Sequence, residues 1–355
     1  MKIHNYSAGP CILPQEVLKQ ASEAVLNFNN TGLSLIEMSH RDKKVVDFFD
    51  ETIALVKKLM KLDDDFEVLF LQGGASLQFI MTPYNLMKEG GKAAYTNTGT
   101  WASAAIKEAK KFGEVIEVAS SKDKNYNYIP KNYEIPSDVA YFHCTSNNTI
   151  FGTQMKSFPK TDAIKVCDMS SDILSRVIDF NQFDLIYAGA QKNMGPAGAT
   201  MVAVRKSILG KSGRNIPSYL DYQIHIEKDT MFNTPSVFAV YVCLLTLRWL
   251  DNLGGIAAIE KINNAKAKLL YDEIDRNPLF RGVTEIEDRS NMNATFVLND
   301  ESHKDTFDAM WKAAGISGIN GHRSVGGYRA SMYNALPLES VQVLVDVMQE
   351  LEKKA

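Results

Sequence analysis

Cysteine is scarce in this chain. The four cysteines, Cys11, Cys144, Cys167 and Cys243, lie far apart in the 355 residues. They form neither a CxxC redox pair nor a closely spaced ligand cluster, so no metal site is expected. A reduced, cytoplasmic location is the simplest interpretation of thiols spread this widely.

An excess of charge of one sign is also lacking. The 39 Lys and Arg residues against 42 Asp and Glu leave a formal charge of -3, and no dense basic cluster is present, so no nucleic-acid partner is expected. The longest apolar run, residues 237–247, stops at Arg248, well short of the ~20 residues that span a bilayer. The N-terminus has no apolar signal core, so neither a targeting peptide nor a membrane partner is expected.

The composition that remains is that of an ordinary globular protein. Hydrophobic residues make up 45% of the chain and charged residues 23%. The length predicts roughly two domains. We place an N-terminal segment near the active site at residues 1–15, a large domain at 16–255 and a small C-terminal domain at 256–355.

Short apolar runs alternate with helical stretches after residue 66. This alternation is typical of a largely parallel sheet covered by helices. The predicted strands are residues 67–71, 92–96, 114–118, 139–144, 164–168, 185–188 and, as an antiparallel addition, 199–205. Helices are predicted over 14–28, from an N-cap at Ser39 to about residue 60, from Ser76 and from Trp101.

After Gly254-Gly255 the pattern predicts a second, smaller unit. It contains helices over 256–276 and 304–314, strands over 294–298 and 328–331, and a final helix from Leu338. The predicted fold class is therefore α/β. A large domain holds a mostly parallel seven-stranded sheet covered by helices, and a smaller α/β domain follows it.

Two side chains that follow predicted strands point to catalysis, because ligands of open α/β sheets bind beyond the carboxyl ends of the strands. Lys192 comes after the apolar run 183–190, and a desolvated lysine amine loses its proton and condenses with aldehydes. Asp168 ends the strand 164–168, where its carboxylate can pair with a protonated ring nitrogen. A solvated loop lysine and a turn-capping aspartate are the alternatives.

Two further features fit the same ligand. Gly73 and Gly74 join a strand to a helix and let backbone N–H groups approach an anion. Trp101 begins the next helix, where its ring can stack on a flat heteroaromatic group. The alternative for the two glycines is a turn that needs glycine for steric reasons alone. The alternative for Trp101 is a tryptophan buried in the core. Together with the lysine and the acid, these two features describe a site for pyridoxal 5'-phosphate.

Along its whole length the chain resembles the phosphoserine aminotransferase family, whose members have the type I fold of pyridoxal-phosphate enzymes. The matching blocks are residues 5–10 (NYSAGP), 39–41 (SHR), 73–79 (GGASLQF), 100–101 (TW), 147–150 (NNTI), 168–172 (DMSSD), 190–193 (AQKN), 233–236 (NTPS), 321–323 (GHR) and 327–331 (GYRAS). Ala8 stands where relatives commonly have serine, so a hydroxyl contact would be missing there while backbone contacts would survive.

The resemblance implies a role for each matching position. Lys192 would be the catalytic residue that binds the cofactor aldehyde. The other cofactor-binding residues would be Ala75, Ser76 and Gln191 at the phosphate, Trp101 and Thr149 at the ring, Asp168 at the ring nitrogen, and Asn233 and Thr234 at the phosphate in the neighbouring subunit. Substrate would be bound by Arg329 at the alpha-carboxylate and by His40, Arg41, His322 and Arg323 at the phosphate. A homodimer with shared active sites is therefore implied.

The implied reaction converts 3-phosphohydroxypyruvate and L-glutamate into O-phospho-L-serine and 2-oxoglutarate for serine biosynthesis, in a ping-pong cycle. Arginine forks suit both carboxylate and phosphate, so one cationic pocket would serve both half-reactions. Bacterial relatives also form 4-phosphohydroxy-L-threonine for pyridoxine biosynthesis, and that choice stays open here.

Other type I enzymes, such as a cysteine desulfurase or an alanine-glyoxylate type transaminase, are the nearest alternatives. A desulfurase needs a reactive cysteine in an exposed Gly/Ser-rich loop, and none of the four cysteines lies in one. A non-catalytic binding protein on this scaffold would have lost Lys192. A dehydrogenase would carry G-x-G-x-x-G after the first strand, which is absent.

Overall fold

Strands and helices alternate through the computed structural model, which describes residues 2–323 and 325–355. The strands are β1 (His4–Asn5), β2 (Phe66–Leu71), β3 (Lys92–Asn97), β4 (Glu114–Ser120), β5 (Tyr141–Thr145), β6 (Ile164–Asp168), β7 (Leu185–Gly189), β8 (Thr200–Arg205), β9 (Phe280–Gly282), β10 (Asn293–Leu298), β11 (Ile316–Ser317) and β12 (Tyr328–Ser331). The helices are α1 (Gln15–Leu26), α2 (Lys43–Met60), α3 (Gly74–Leu86), α4 (Thr100–Ala109), α5 (Tyr222–Glu227), α6 (Val237–Asn252), α7 (Gly255–Arg276), α8 (Lys304–Ala313) and α9 (Leu338–Lys354).

The main sheet has seven strands in the order β2-β8-β7-β6-β5-β3-β4. Strand β8 runs antiparallel to both of its neighbours, and the remaining neighbouring pairs are parallel. The predicted α/β class, with a mostly parallel seven-stranded sheet and one antiparallel addition, is confirmed.

Both faces of this sheet are buried under helices. Along β6, Cys167 belongs to the core that includes residues of α2 and α6, whereas Val166 belongs to the core on the opposite face with residues of α3 and α4. Burial on both faces explains why the central strands are nearly continuous apolar runs in the sequence. The strand ends are the places where polar side chains can collect.

Helix α2 begins later than the sequence predicted. Its N-cap is Asp42, whose side chain accepts from the Lys44 N–H at 2.9 Å. The predicted cap, Ser39, instead accepts from the Arg41 N–H at 3.2 Å in the preceding turn. Serine and aspartate are equally good N-caps, each worth about 1 kcal/mol, so propensity alone does not choose between them.

The C-terminal part forms a separate antiparallel sheet in the order β12-β10-β9, covered by α8 and α9. Helix α7 contributes Ile256 and Ile259 to the core under the main sheet and Leu270 and Ile274 to the core of the smaller sheet. Strand β1 pairs with β11 and so ties the N-terminal segment to this smaller part. The domain boundary placed at residue 255 stays a prediction.

Helix α6 is the most apolar helix and lies mostly buried. Within residues 2–323 and 325–355, no single helix is long and apolar enough to cross a membrane, although the bent pair α6 and α7 passes on length and composition. In the same ranges no group of three or more His, Cys, Asp or Glu side chains is placed to hold a metal ion.

Candidate active site

A cavity of about 360 Å³ opens at the carboxyl ends of the parallel strands. Residues that follow β2, β3, β5, β6 and β7 meet there, as the strand-end rule predicts. Strand β12 and the N-terminal segment complete the wall. The lining includes these residues predicted from the sequence: Ala75, Ser76, Trp101, Thr149, Asp168, Gln191, Lys192, His322 and Arg329.

Lys192 follows β7 and lines the cavity. Burial lowers the pKa of Lys192 to about 8, although the negative charge of Asp168 acts in the opposite direction. Its Nζ donates to Thr149 Oγ1 at 3.0 Å. About a tenth of this amine is therefore unprotonated at pH 7, far more than for an exposed lysine, which makes it a better nucleophile.

The N-terminal segment packs against the chain around Lys192. The Cys11 N–H donates to the Gln191 carbonyl at 3.1 Å. Gly9 has a φ of +142°, and a Cβ there would lie 3.5 Å from Lys192 Cγ. Glycine at this position therefore accommodates a strained backbone directly beside the lysine side chain.

Asp168 is the last residue of β6 and is buried, with 4% of its surface exposed. Burial raises the pKa of the Asp168 carboxyl, while hydrogen bonds from Ser170 and the positive charge of Lys192 oppose that shift. The Ser170 N–H donates to Asp168 Oδ1 at 2.9 Å. A buried carboxyl of this kind gains a partner when a ligand brings a cationic N–H group into the cavity.

The N-terminus of α3 presents backbone donors to the cavity. Gly73 precedes the helix with a φ of +89°, and a Cβ there would lie 2.6 Å from Leu77, so a larger residue does not fit. No side chain caps this helix. The first N–H groups of the helix, including those of Gly74, Ala75 and Ser76, are therefore available to a phosphate-sized anion.

Trp101 is the second residue of α4 and keeps 42% of its surface exposed while lining the cavity. It is therefore not a core tryptophan, which was the ordinary alternative. Thr149 follows β5 and accepts the hydrogen bond from Lys192. These two positions bring a hydroxyl group to the lysine amine and an aromatic ring to the wall of the same cavity.

Arg329 lies on β12 and brings a guanidinium to the cavity. Its Nη1 donates to the Thr149 carbonyl at 3.4 Å, and its Nε is buried without a hydrogen-bond partner in the described part of the chain. Burial lowers the pKa of the Arg329 guanidinium, which nevertheless stays charged because its ordinary pKa is so high. A spare donor on a buried guanidinium suits a ligand carboxylate.

Other predicted site residues lie outside this cavity. Within residues 2–323 and 325–355, the cavity lining does not include His40, Arg41, Asn233, Thr234 or Arg323. Arg41 and Arg323 are exposed. Asn233 Nδ2 donates to Gln72 Oε1 at 2.8 Å, next to the glycine turn. The roles of these residues stay predictions.

Some polar lining residues were not proposed from the sequence. Thr145 is the last residue of β5, so the rule that selected Asp168 would have found it had the strand been extended by one residue. Asn147 Nδ2 donates to Ser171 Oγ and to Asn293 Oδ1, both at 2.8 Å. Asn147 thus joins the cavity wall to β10, a contact that no local pattern indicates.

The chain resembles known aminotransferases over nearly its whole length. Residues 3–344 match the family described as Aminotransferase class-V. The phosphoserine aminotransferase of Flavobacterium psychrophilum is 70% identical, with 100% of both chains covered. That of Porphyromonas gingivalis is 55% identical, again with 100% of both chains covered.

Solved structures agree with this relationship. A phosphoserine aminotransferase studied for radiation damage of its Schiff base superposes with a TM-score of 0.97 at 44% identity, covering 100% of both chains. The phosphoserine aminotransferase of Bacillus circulans subsp. alkalophilus gives a TM-score of 0.96 at 42% identity, with 99% of each chain covered. An alanine-glyoxylate aminotransferase from Nostoc, 14% identical over 99% of this chain and 95% of its own, shares the fold with a TM-score of 0.78.

Proposed function

Because this chain belongs to the class-V aminotransferase family and, within it, to the phosphoserine aminotransferases, it is a transaminase that uses pyridoxal 5'-phosphate, and we propose that Lys192 carries its chemistry. The reaction is the transamination of phosphoserine. In full, we propose that 3-phosphohydroxypyruvate and L-glutamate are converted into O-phospho-L-serine and 2-oxoglutarate. The observation that supports this most is that Lys192 and the buried acid Asp168 line one cavity.

The residues of the cavity fit the cofactor. A phosphate suits the uncapped α3 N-terminus, where a Cβ on Gly73 would clash with Leu77. The buried Asp168 carboxyl suits a protonated ring nitrogen, and the exposed face of Trp101 suits an aromatic ring. We therefore propose that Ala75, Ser76, Gln191, Trp101, Thr149, Asp168 and Lys192 hold the cofactor.

When bound, pyridoxal phosphate supplies an aldehyde that condenses with amines and a ring that draws electrons from the alpha carbon of the substrate. Asp168 would keep the ring nitrogen protonated, because its negative charge favours the cation. Lys192 Nζ would take the proton that leaves the alpha carbon, since its lowered pKa lies near the working pH and lets the amine accept and return a proton. Arg329 would hold the substrate carboxylate in reach of that amine.

Borohydride reduction of the holoenzyme should attach the cofactor to Lys192. Reduction makes the link between an amine and an aldehyde permanent, so peptide mapping by mass spectrometry reads the attachment site directly. Apoprotein treated with the same reagent is the control and should carry no label. A label on a different lysine would contradict the proposal.

The substrate phosphate is proposed to meet His40, Arg41, His322 and Arg323. Arg41→Ala or Arg323→Ala should raise KM for phosphoserine about 10–100-fold, because each loses a charge-assisted hydrogen bond. Cofactor affinity should stay unchanged, as measured by titrating apoprotein with pyridoxal phosphate. Arg281→Ala, an exposed arginine on β9, is the matched control. An unchanged KM in both variants would remove these arginines from the phosphate site.

We also propose a homodimer in which Asn233 and Thr234 reach the cofactor phosphate of the other subunit. Both residues lie outside the cavity lining of their own chain, beside Gln72. That placement is what a site completed by a second chain requires. A second chain would therefore explain why these predicted cofactor-binding residues lie outside the cavity of their own chain.

Hybrid dimers test this sharing. When Lys192→Ala and Asn233→Ala chains are unfolded, mixed and refolded, each hybrid dimer should contain one site with both residues intact, so activity should reappear. The measurement is turnover at a cofactor concentration that leaves Asn233→Ala largely unloaded. Each variant refolded alone is the control. A mixture no more active than the sum of its parts would show that each site is built from one chain.

We propose a cytoplasmic location from the number and spacing of the cysteines. The four cysteines lie far apart in the sequence and show no spacing typical of a disulfide framework. A reducing compartment keeps such thiols free.

A further inference from the structure

Lys266 is a buried lysine that the proposed chemistry does not use. It lies on α7 and has 0% of its surface exposed. Its Nζ donates to three backbone carbonyls, those of Met332 at 3.1 Å, Tyr333 at 2.8 Å and Leu336 at 3.1 Å. The three carbonyls belong to a single turn, residues 332–336, between β12 and α9, and they can accept all three N–H groups of the charged amine. Burial lowers the pKa of Lys266 to about 7.

That turn contacts both the N-terminal segment and the residue that follows Lys192. Tyr333 OH donates to the Ala8 carbonyl at 2.8 Å, and Ala8 lines the active-site cavity. The Asn334 N–H donates to Asn193 Oδ1 at 3.0 Å, and Asn193 directly follows Lys192. The turn therefore holds one wall of the cavity and the residue next to the lysine at the same time.

A second set of hydrogen bonds fixes the turn to the large core. Asn334 Nδ2 donates to the Leu174 carbonyl at 3.0 Å, and Asn263 Nδ2 donates to Asn334 Oδ1 at 2.9 Å. Asn263 lies one helical turn before Lys266 on α7. Buried polar networks of this kind specify one geometry, because each unpaired member would carry a desolvation cost.

We propose that Lys266 is a positioning residue for Lys192, acting by holding the turn 332–336 against Ala8 and Asn193. This inference rests on the proposed role of Lys192. Without the ammonium, three carbonyls lose their donor in a dry environment, and the turn moves or takes up water to satisfy them. Movement of the turn exposes more of Lys192 to water, which favours its charged form and raises its pKa toward that of an exposed lysine.

The test measures the Lys192 amine in apoprotein, so that it does not depend on the bound cofactor. Reductive methylation with formaldehyde and cyanoborohydride is followed at Lys192 by peptide mass spectrometry over a series of pH values. In Lys266→Met, we expect the midpoint of the pH profile at Lys192 to rise by about one unit, which lowers its methylation rate near pH 8 about fivefold. An unchanged profile in a folded variant would overturn the proposal.

Lys165→Met is the matched control, because Lys165 is also buried, with 6% of its surface exposed, but lies at the amino end of β6, away from the cavity. Its Lys192 profile should equal that of the wild type. If Lys266→Met does not fold, Tyr333→Phe decides the question, because it keeps the ring and removes the hydroxyl that donates to the Ala8 carbonyl and accepts from Asn293 Nδ2. A smaller rise in the Lys192 midpoint supports the proposal, and no rise refutes it.

The two proposals fail in different ways. Borohydride mapping to another lysine would remove Lys192 from the cofactor, whatever the methylation profiles show. A normal Lys192 profile in Lys266→Met, together with correct borohydride mapping, would leave the proposed function standing and reject only the positioning role.

Discussion

Lys192→Ala should lower kcat by more than about 10³-fold and abolish the covalent link to the cofactor. The substitution removes both the amine that binds the aldehyde and the base that moves the substrate proton, and such a base alone contributes about 10²–10⁴-fold. Cofactor is still retained to a degree, because the phosphate cradle and Asp168 remain. Steady-state turnover and the yellow colour of the lysine-linked cofactor measure the two losses separately.

Lys156→Ala is the matched control for that experiment. Burial lowers the pKa of Lys156 to about 8, as it does for Lys192. Lys156 donates to Gln154 Oε1 at 3.0 Å and to the Arg289 carbonyl, outside the active-site cavity. Full activity in this variant would show that a lowered pKa is not sufficient. A Lys192→Ala enzyme that still turns over at the wild-type rate would refute the proposed mechanism.

Asp168→Asn should lower kcat by about 10²–10⁴-fold while leaving the fold intact. The amide has the shape of the carboxyl and keeps an oxygen for the Ser170 N–H, but it carries no negative charge to hold a proton on the ring nitrogen. Cofactor should also bind more weakly, as measured by titration of apoprotein. Turnover with glutamate and with phosphoserine should fall together, because both half-reactions need the charged ring.

The control for Asp168→Asn is Asp184→Asn. Asp184 precedes β7 at the amino ends of the parallel strands, opposite the cavity. There its Oδ2 accepts from the Lys165 N–H at 2.7 Å. This change loses a charge near the sheet but far from the cavity, so turnover should be unaffected. Equal losses in the two variants would indicate destabilisation rather than a role at the ring nitrogen.

The part of the site that could be predicted consists of residues fixed by local order along the chain. A strand that is buried on both faces is recognised by its apolar run, and the residue at its carboxyl end is then known to lie at the ligand edge. This logic predicted that Asp168, Lys192 and Trp101 lie together, and all three line one cavity, while their roles stay predictions. It missed Thr145 by one residue at the end of β5.

The part that could not be predicted depends on partners distant in sequence. Lys266 resembles any polar position on an amphipathic helix, and its acceptors lie 66 to 70 residues further along the chain. The N-cap of α2 is Asp42 and not the predicted Ser39. Both residue types cap helices well, so the sequence did not distinguish between them. The proposed contributions of Asn233 and Thr234 involve a second chain, whose position no single sequence pattern contains.

Helix α7 has a consequence for how the molecule loses its structure. Its first turns belong to one hydrophobic core and its later turns to the other, and Lys266 lies between those two groups. Unfolding of either core removes apolar side chains that pack against α7, and the other core also depends on this helix. The two halves are therefore coupled through α7, and we expect the loss of one core to destabilise the other.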